Sequence, residues 1–237
     1  MLRRYYPLPM RFWGQLNLVD AASPLQGELF LFHDHAIVLL VGIFSFVAVL
    51  GLKLVLNRYT SRNLLEAQQL ETVWTIVPAI LLVWLALPSL RLLYLLDEQA
   101  NSGVFLKATG HQWYWSYEIP SAMSGSFDSY IIPDDDLERG DYRLLEVDNR
   151  AAVPFGLEST IITTSADVLH SFAIPSAGVK IDAVPGRLNS IRTLFERPGV
   201  YYGQCSEICG ANHSFMPIVI ESLNLKDFLN FLESSDE

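Results

Sequence analysis

The stretch GVYYGQCSEICGANHSFMPIVIE, residues 199–221, reads as two strands clasping a loop. GVYYGQ (199–204) and MPIVIE (216–221) alternate apolar and polar positions and favour β-branched and aromatic residues, the patterning of half-buried strands. Between them, CSEICGANHSFM (205–216) holds the chain's only two cysteines, one of its five histidines and one of its four methionines. Thiolate, imidazole and thioether make up the soft-to-borderline donor set that suits copper, whereas hard cations take oxygen ligands. Donors on a loop between two strands are braced by the sheet. A fourth strong donor must come from elsewhere, and His170, at the start of an apolar alternating segment in ADVLHSFAIPS (166–176), is the natural candidate.

Three other readings use the same residues. A Cys205–Cys209 disulfide would close so short a loop that little chain entropy is gained, and it leaves His213 and Met216 without a role. Cys205, Cys209, His170 and His213 would also suit structural zinc. Met216 would serve simply as the first core residue of the following strand. One cysteine with histidine and methionine on a β-sandwich would indicate a mononuclear blue-copper site. The second cysteine changes the stoichiometry, because two thiolates can each bridge two copper ions.

Outward from this loop, the chain beyond Asp97 is a series of short alternating segments: VFLKA (104–108), HQWYWSYEI (111–119), YRLLEV (142–147), STIITTS (159–165) and LNSIRTLF (188–195). Separated by Gly, Pro and Asp clusters, they predict a Greek-key sandwich or barrel. Read as one strand, HQWYWSYEI puts His111, Trp113, Trp115 and Tyr117 on one face. The acidic PDDDLERGD (133–141) is a loop tip. LNLKDFLNFLESSDE (223–237) spaces Leu225, Phe228, Leu229 and Leu232 as a short amphipathic helix.

The front of the chain differs in kind. AIVLLVGIFSFVAVLGL (36–52) and residues 72–90 carry no charge, and each is long enough to cross a hydrocarbon core of about 30 Å. Helices are expected at about 36–56 and 72–95, dividing the chain into an N-terminal hairpin (1–96) and a β-domain (97–237). Lys53 and Arg91 lie near the ends, where long side chains reach the interface, and Pro78 and Pro88 are tolerated in such helices. Overall 51% of the 237 residues are hydrophobic and the net charge is −10. Residues 1–96 hold 7 Lys/Arg against 5 Asp/Glu, a net of +2, and the remainder 9 against 21, a net of −12. An acidic domain attracts cationic partners and repels nucleic acid. Lys53, Arg58 and Arg62 put the connecting segment NRYTSRNLLEAQQLE (57–71) on the positive-inside face, with both termini opposite. Arg3 and Arg4 are followed by a mixed polar stretch, so no signal peptide is expected.

The ligand loop, together with DVLHSFAIPSAGVKIDAVPGRLN (167–189) and GHQWYWSYE (110–118), resembles subunit II of cytochrome c oxidase of the mitochondrial aa3 type. The resemblance runs from the His33-Asp34-His35 triplet to Glu221. It implies an α+β membrane protein: a two-helix transmembrane hairpin followed by an all-β, cupredoxin-like domain with a dinuclear copper centre. Carried across, Cys205 and Cys209 are bridging thiolates and His170 and His213 terminal imidazoles. Met216 and the backbone carbonyl of Glu207 are the weak axial donors. The resemblance makes Trp113 the residue through which electrons arrive from cytochrome c. It gives the Glu207 side chain a magnesium ion shared with subunit I, and places Glu71 at the mouth of a proton path. Asp148, Glu118 and Asp167 are candidates for an acidic docking face, and the triplet at 33–35 reads as interfacial packing. The implied partners are subunit I and the other complex IV subunits, cytochrome c and membrane lipid, with no nucleic acid. The implied place is the mitochondrial inner membrane, with the hairpin loop in the matrix and the copper domain and both termini in the intermembrane space. Electrons would pass to heme in subunit I, where oxygen is reduced to water and protons are pumped. The competing reading is a zinc-stapled, membrane-tethered interaction module without redox activity. A quinol oxidase subunit of the same fold is opposed by the intact ligand set, and the copper domain of nitrous-oxide reductase by the hairpin.

Overall fold

The computed structural model describes residues 14–63, 65–98, 103–120 and 125–234. Arg3 and Arg4 lie outside these residues. The chain divides into two compact units: Glu28–Leu95, and the residues up to Gly27 together with those from Leu96 onward.

The helical unit is built on α1 (Pro24–Leu56) and α2 (Gln68–Asp97), both longer than their uncharged cores. Helix α1 begins twelve residues before the expected position 36. Ser23 caps it, accepting a hydrogen bond from the Gln26 N–H at 3.0 Å, and Pro24 stands at the first helical position, where its missing N–H costs nothing. The HDH triplet is therefore helical. His35 packs against Trp84 of α2 with ring centroids 5.6 Å apart, joining the two helices. Helix α2 runs through Pro78 and Pro88, and Thr72 and Thr75 hydroxyls donate to the carbonyls of Gln68 and Glu71. Most Leu, Val, Ile, Phe and Trp residues on both helices are exposed, a surface that water does not tolerate over such lengths. Both are long and apolar enough to cross a membrane.

The second unit is a β-sandwich of ten strands among the described residues: β1 (Val104–His111), β2 (Tyr114–Glu118), β3 (Phe127–Ser129), β4 (Ala151–Pro154), β5 (Glu158–Ser165), β6 (His170–Ile174), β7 (Val179–Ala183), β8 (Asn189–Leu194), β9 (Gly199–Gln204) and β10 (Pro217–Leu223). One sheet has the order β3-β2-β1-β5-β8, a second β4-β10-β9, and β6 pairs with β7. Pairs β1–β5 and β4–β10 are parallel and the rest antiparallel. The core joins Leu106, Trp115, Tyr117, Ile161, Phe172, Ile174, Ile218 and Ile220, all fully buried. Alternation marks β1, whereas β6 (HSFAI) is buried along its whole length, the polar His170 and Ser171 included. Ala22, Ser23 and Gln26 are buried with this unit. The Ala22 N–H donates to Ser176 O at 2.8 Å and the Ser23 hydroxyl to Ala177 O at 2.6 Å. The segment expected with the helices thus packs as part of the β-domain.

Three expectations change. HQWYWSYEI is two strands: the chain turns at Gln112–Trp113, so His111 pairs across the hairpin with Tyr114 and their rings stack at 4.5 Å. His111 therefore does not share the inward face of Trp115 and Tyr117. YRLLEV is a tight turn rather than a strand, with the Leu145 and Glu146 N–H groups both donating to Tyr142 O and Leu144 at φ 64°. Only Val147 makes a bridge, to Ile131. The C-terminal helix α3 (Leu225–Ser234) is capped reciprocally by Asn224 and Asp227. It buries Phe228 with Phe231 and Leu232 half-covered, while Leu225 and Leu229 are exposed. Its inward stripe is offset from the one expected, because the helix lies on the sheet through its aromatic residues.

Candidate metal centre

Strand geometry brings the donors together before any metal is considered. Gly203 in β9 faces β6 so closely that a Cβ there would lie 1.8 Å from the Ala173 carbonyl oxygen. Only glycine lets the two strands approach this far. The contact sets Cys205, just past β9, beside His170, the first residue of β6. The Ser206 N–H then donates to Ser171 O at 3.0 Å and fixes the exit of the loop. Gly110 in β1 makes room from the other side, since a Cβ there would meet the His170 ring at 2.8 Å. The loop continues from Cys205 to a single helical turn, His213–Phe215, and Met216 leads into β10.

The donor atoms converge. Cys205 Sγ lies 3.9 Å from Cys209 Sγ, 3.8 Å from His170 Nδ1 and 3.3 Å from the Glu207 carbonyl oxygen. Cys209 Sγ lies 3.5 Å from both His213 Nδ1 and Met216 Sδ. The donor atoms of His170, Cys205 and Cys209 all lie within 4.8 Å of one another. The two thiols are free, at nearly twice the bonding distance of a disulfide. His170 and Met216 are fully enclosed and His213 is half-buried at the rim.

The electrostatics of the two thiols favour a positive charge between them. Burial opposes ionisation of Cys205, but hydrogen bonds with His170, the backbone at Glu207 and Ser171, and His213 bring its thiol down to about 7. Burial and the neighbouring Cys205 push Cys209 up to about 12. Two thiolates this close repel each other in a buried site, and a cation between them removes the conflict. His170 Nε2 lies 2.8 Å from Asp167 Oδ1, so the carboxylate takes the Nε2–H and leaves Nδ1 as the donor facing Cys205. Burial works against the imidazolium, but Cys205 and Asp167 hold the His170 pKa above its ordinary value. Asp167 is held low: burial opposes this, and His170 with the N–H groups of Val168 and Gln112 outweigh it. This donor set fits a soft or borderline metal, with imidazole nitrogens aimed from both ends at a pair of thiols.

The other expected residues fall into place differently. Trp113 is half-buried and lies against Gly210, where a Cβ would meet its ring at 3.0 Å. Gly210 sits at φ 129°, a conformation reserved for glycine, and its indole neighbour packs flat beside Cys209. Glu207 is half-buried between the cysteines. Glu71 stands exposed in the first turn of α2, in the separate helical unit. Of the acids expected on a docking face, Asp148 accepts the N–H groups of Tyr130 and Asn149, and Glu118 pairs with Lys107 at 2.8 Å. Asp167 is not a free surface charge but the support of His170. The i, i+3 spacing of DVLH was the signal for it. Gln112, whose side-chain amide donates to Cys209 O at 2.7 Å, left no such signal.

Comparison with known proteins accords with this geometry. A family profile described as cytochrome C oxidase subunit II, periplasmic domain, matches residues 104–223, and one for the transmembrane domain of the same subunit matches residues 11–92. Cytochrome c oxidase subunit 2 of the snail Albinaria caerulea is 66% identical over 93% of this chain and 98% of its own. The Periplaneta americana protein of that name is 54% identical over 94% and 98%. Among solved structures, the periplasmic domain of subunit II of the Bradyrhizobium japonicum cytochrome oxidase is similar with a TM-score of 0.54 and 44% identity, covering 58% of this chain and 96% of that one. With both halves matched and relatives aligned nearly end to end, the chain belongs to the cytochrome c oxidase subunit II family.

Proposed function

We propose that this chain is the electron-accepting subunit of its oxidase, with two copper ions held by Cys205, Cys209, His170, His213, Met216 and the Glu207 carbonyl. The observation that supports it most is the convergence of two free thiols, two imidazole Nδ1 atoms and a thioether at 3.5–3.9 Å in one buried pocket. A copper pair held by these residues would supply a carrier that takes and gives single electrons.

The chain's own residues make that exchange fast by staying still. Strands β6 and β9, locked at Gly203, hold His170 and Cys205 at fixed separation. Asp167 fixes the His170 ring and its tautomer. Met216, 1% exposed, closes the inner side against water. Loading requires the Cys209 proton to leave, and the loop delivers the thiol already facing His213. Trp113, against Gly210, presents an aromatic surface between solvent and the thiolates, and is the point at which electrons arrive from cytochrome c. The net of −12 after residue 96 suits a cationic donor protein. The Glu207 carboxylate takes a magnesium ion shared with subunit I, to whose heme the electrons pass. Glu71 serves the proton path.

Within residues 1–96 the two helices of the unit Glu28–Leu95 anchor the chain in the mitochondrial inner membrane, and residues 97–237 carry the metal domain. The hairpin loop faces the matrix and the metal domain the intermembrane space. Metal analysis with an EPR spectrum of the purified complex tests the reading: two copper ions per chain sharing one unpaired electron are expected. One zinc and no copper would establish the stapled interaction module instead.

A further inference from the structure

We infer that Gln112 is a positioning residue for the metal centre, gripping the ligand loop through the Cys209 peptide; this rests on the metal-site reading above. Gln112 stands in the turn between β1 and β2 and makes two separate bonds. Its side-chain Nε2 donates to Cys209 O at 2.7 Å. Its backbone N–H donates to Asp167 Oδ2 at 2.7 Å, and the other oxygen of that carboxylate holds His170 Nε2 at 2.8 Å. One residue thus serves both halves of the donor set, the loop directly by its side chain and His170 through the Asp167 carboxylate by its backbone.

Gly210 completes the contact. A Cβ at Gly210 would lie 3.1 Å from Gln112 Nε2 and 3.0 Å from the Trp113 ring, so Gly210 lies close against both side chains. Cys209 Sγ, on the neighbouring residue, must keep 3.5 Å contacts with His213 Nδ1 and Met216 Sδ at once. Within the loop the His213 N–H donates to Gly210 O at 3.3 Å, and Gln112 ties that same segment to the β1–β2 turn. Supporting bonds of this kind set ligand orientation and thereby the electronic properties of a bound metal.

The test uses the whole oxidase complex with Gln112→Leu, which deletes the donor, and Gln112→Glu, which keeps the shape but puts an acceptor opposite a carbonyl. Both leave the backbone bond to Asp167 intact. The expected result is retained copper, a changed EPR and absorption spectrum and a shifted reduction potential in both variants. Electron uptake should slow by roughly fivefold, the effect of one lost hydrogen bond, with the KM for reduced cytochrome c unchanged. Parental spectrum and potential in both variants would overturn the inference. If KM alone rose, Gln112 would be a docking residue. Should Gln112→Leu fail to assemble, the isosteric Gln112→Glu decides by the same spectrum. A parent complex without copper would instead overturn the metal-site reading.

Discussion

Two buried polar clusters in the β-domain invite comparison. At the first, Glu146, 2% exposed, accepts hydrogen bonds from Arg150 at 2.9 Å and from the Tyr202 hydroxyl at 2.6 Å. Its negative charge meets a positive one and its oxygens are satisfied. At the second, the groups around Cys205 and Cys209 are nearly all donors to a metal; of the two carboxylates nearby, Asp167 holds His170 and Glu207 stands half-buried between the cysteines. Burial alone does not separate the two. A cluster that closes its own charge is part of the scaffold, whereas one short of a cation is a site.

Mutations sharpen the contrast, beginning with the ligands. Cys205→Ser or Cys209→Ser replaces a soft bridging thiolate by a hydroxyl. Electron uptake should be lost, well beyond the roughly 10–100-fold that supporting groups cost, while thermal stability stays near that of the parent. Met216→Leu should be milder, keeping copper but shifting its potential. Stopped-flow reduction and a spectrum of each variant check both. Glu146→Ala should do the opposite. It strands the largely buried Arg150 charge and should cost about 3–5 kcal/mol of stability, read as a lower denaturation midpoint of the domain, with the metal spectrum unchanged. If Glu146→Ala altered the spectrum, the two clusters would not be independent.

Asp167→Asn probes the boundary between the two kinds. Its amide no longer offers a charge to His170, and metal affinity should fall by about 10–100-fold, measured by competition with a chelator. A normal affinity with weaker binding of cytochrome c would return Asp167 to the docking face.

The smallest effect concerns alkali. Burial, first, and the hydrogen bond to Glu146 raise the Tyr202 pKa, and burial raises that of Tyr117. A raised folded value means that the stabilisation is complete below the unfolded value of about 10 and is lost as pH climbs from there through the folded one. The domain should therefore weaken above about pH 10, by at most ~1.4 kcal/mol per pH unit for each tyrosine. Tyr202→Phe should flatten that decline in denaturation midpoints recorded from pH 9 upward. An unchanged slope would assign the effect to the other tyrosines whose pKa is raised, Tyr117, Tyr130 and Tyr201.

Periodicity and composition carried the reading far where one physical effect dominates. The uncharged runs from Ala36 and from Thr72 announce helices because nothing else buries so many consecutive apolar residues. Their true starts, at Pro24 and Gln68, depend on local capping, which the hydropathy run does not contain. Strands β1, β5, β8, β9 and β10 were readable from alternation. The alternating segment read from His170 onward is strand β6, but its burial on both faces did not show in the pattern. YRLLEV alternates like a strand, yet its backbone closes on itself, the Leu145 and Glu146 N–H groups both donating to Tyr142 O. HQWYWSYEI conceals a hairpin because its aromatic residues suit turn and strand alike.

The sulfur-rich loop likewise spelled out its donor types, since softness belongs to individual side chains. The local order of residues also carried the membrane-spanning pair and the β-rich character of the remainder. Distances between segments far apart in sequence came only with folding. That His170 meets Cys205 across 35 positions follows from Gly203 and Gly110 permitting close strand approach. That Asp167 and Gln112 serve the site, and that Glu146 finds Arg150 and Tyr202, follows from sheet register and packing. Such pairings depend on three-dimensional closure, which a one-dimensional pattern of hydrophobicity and charge does not encode.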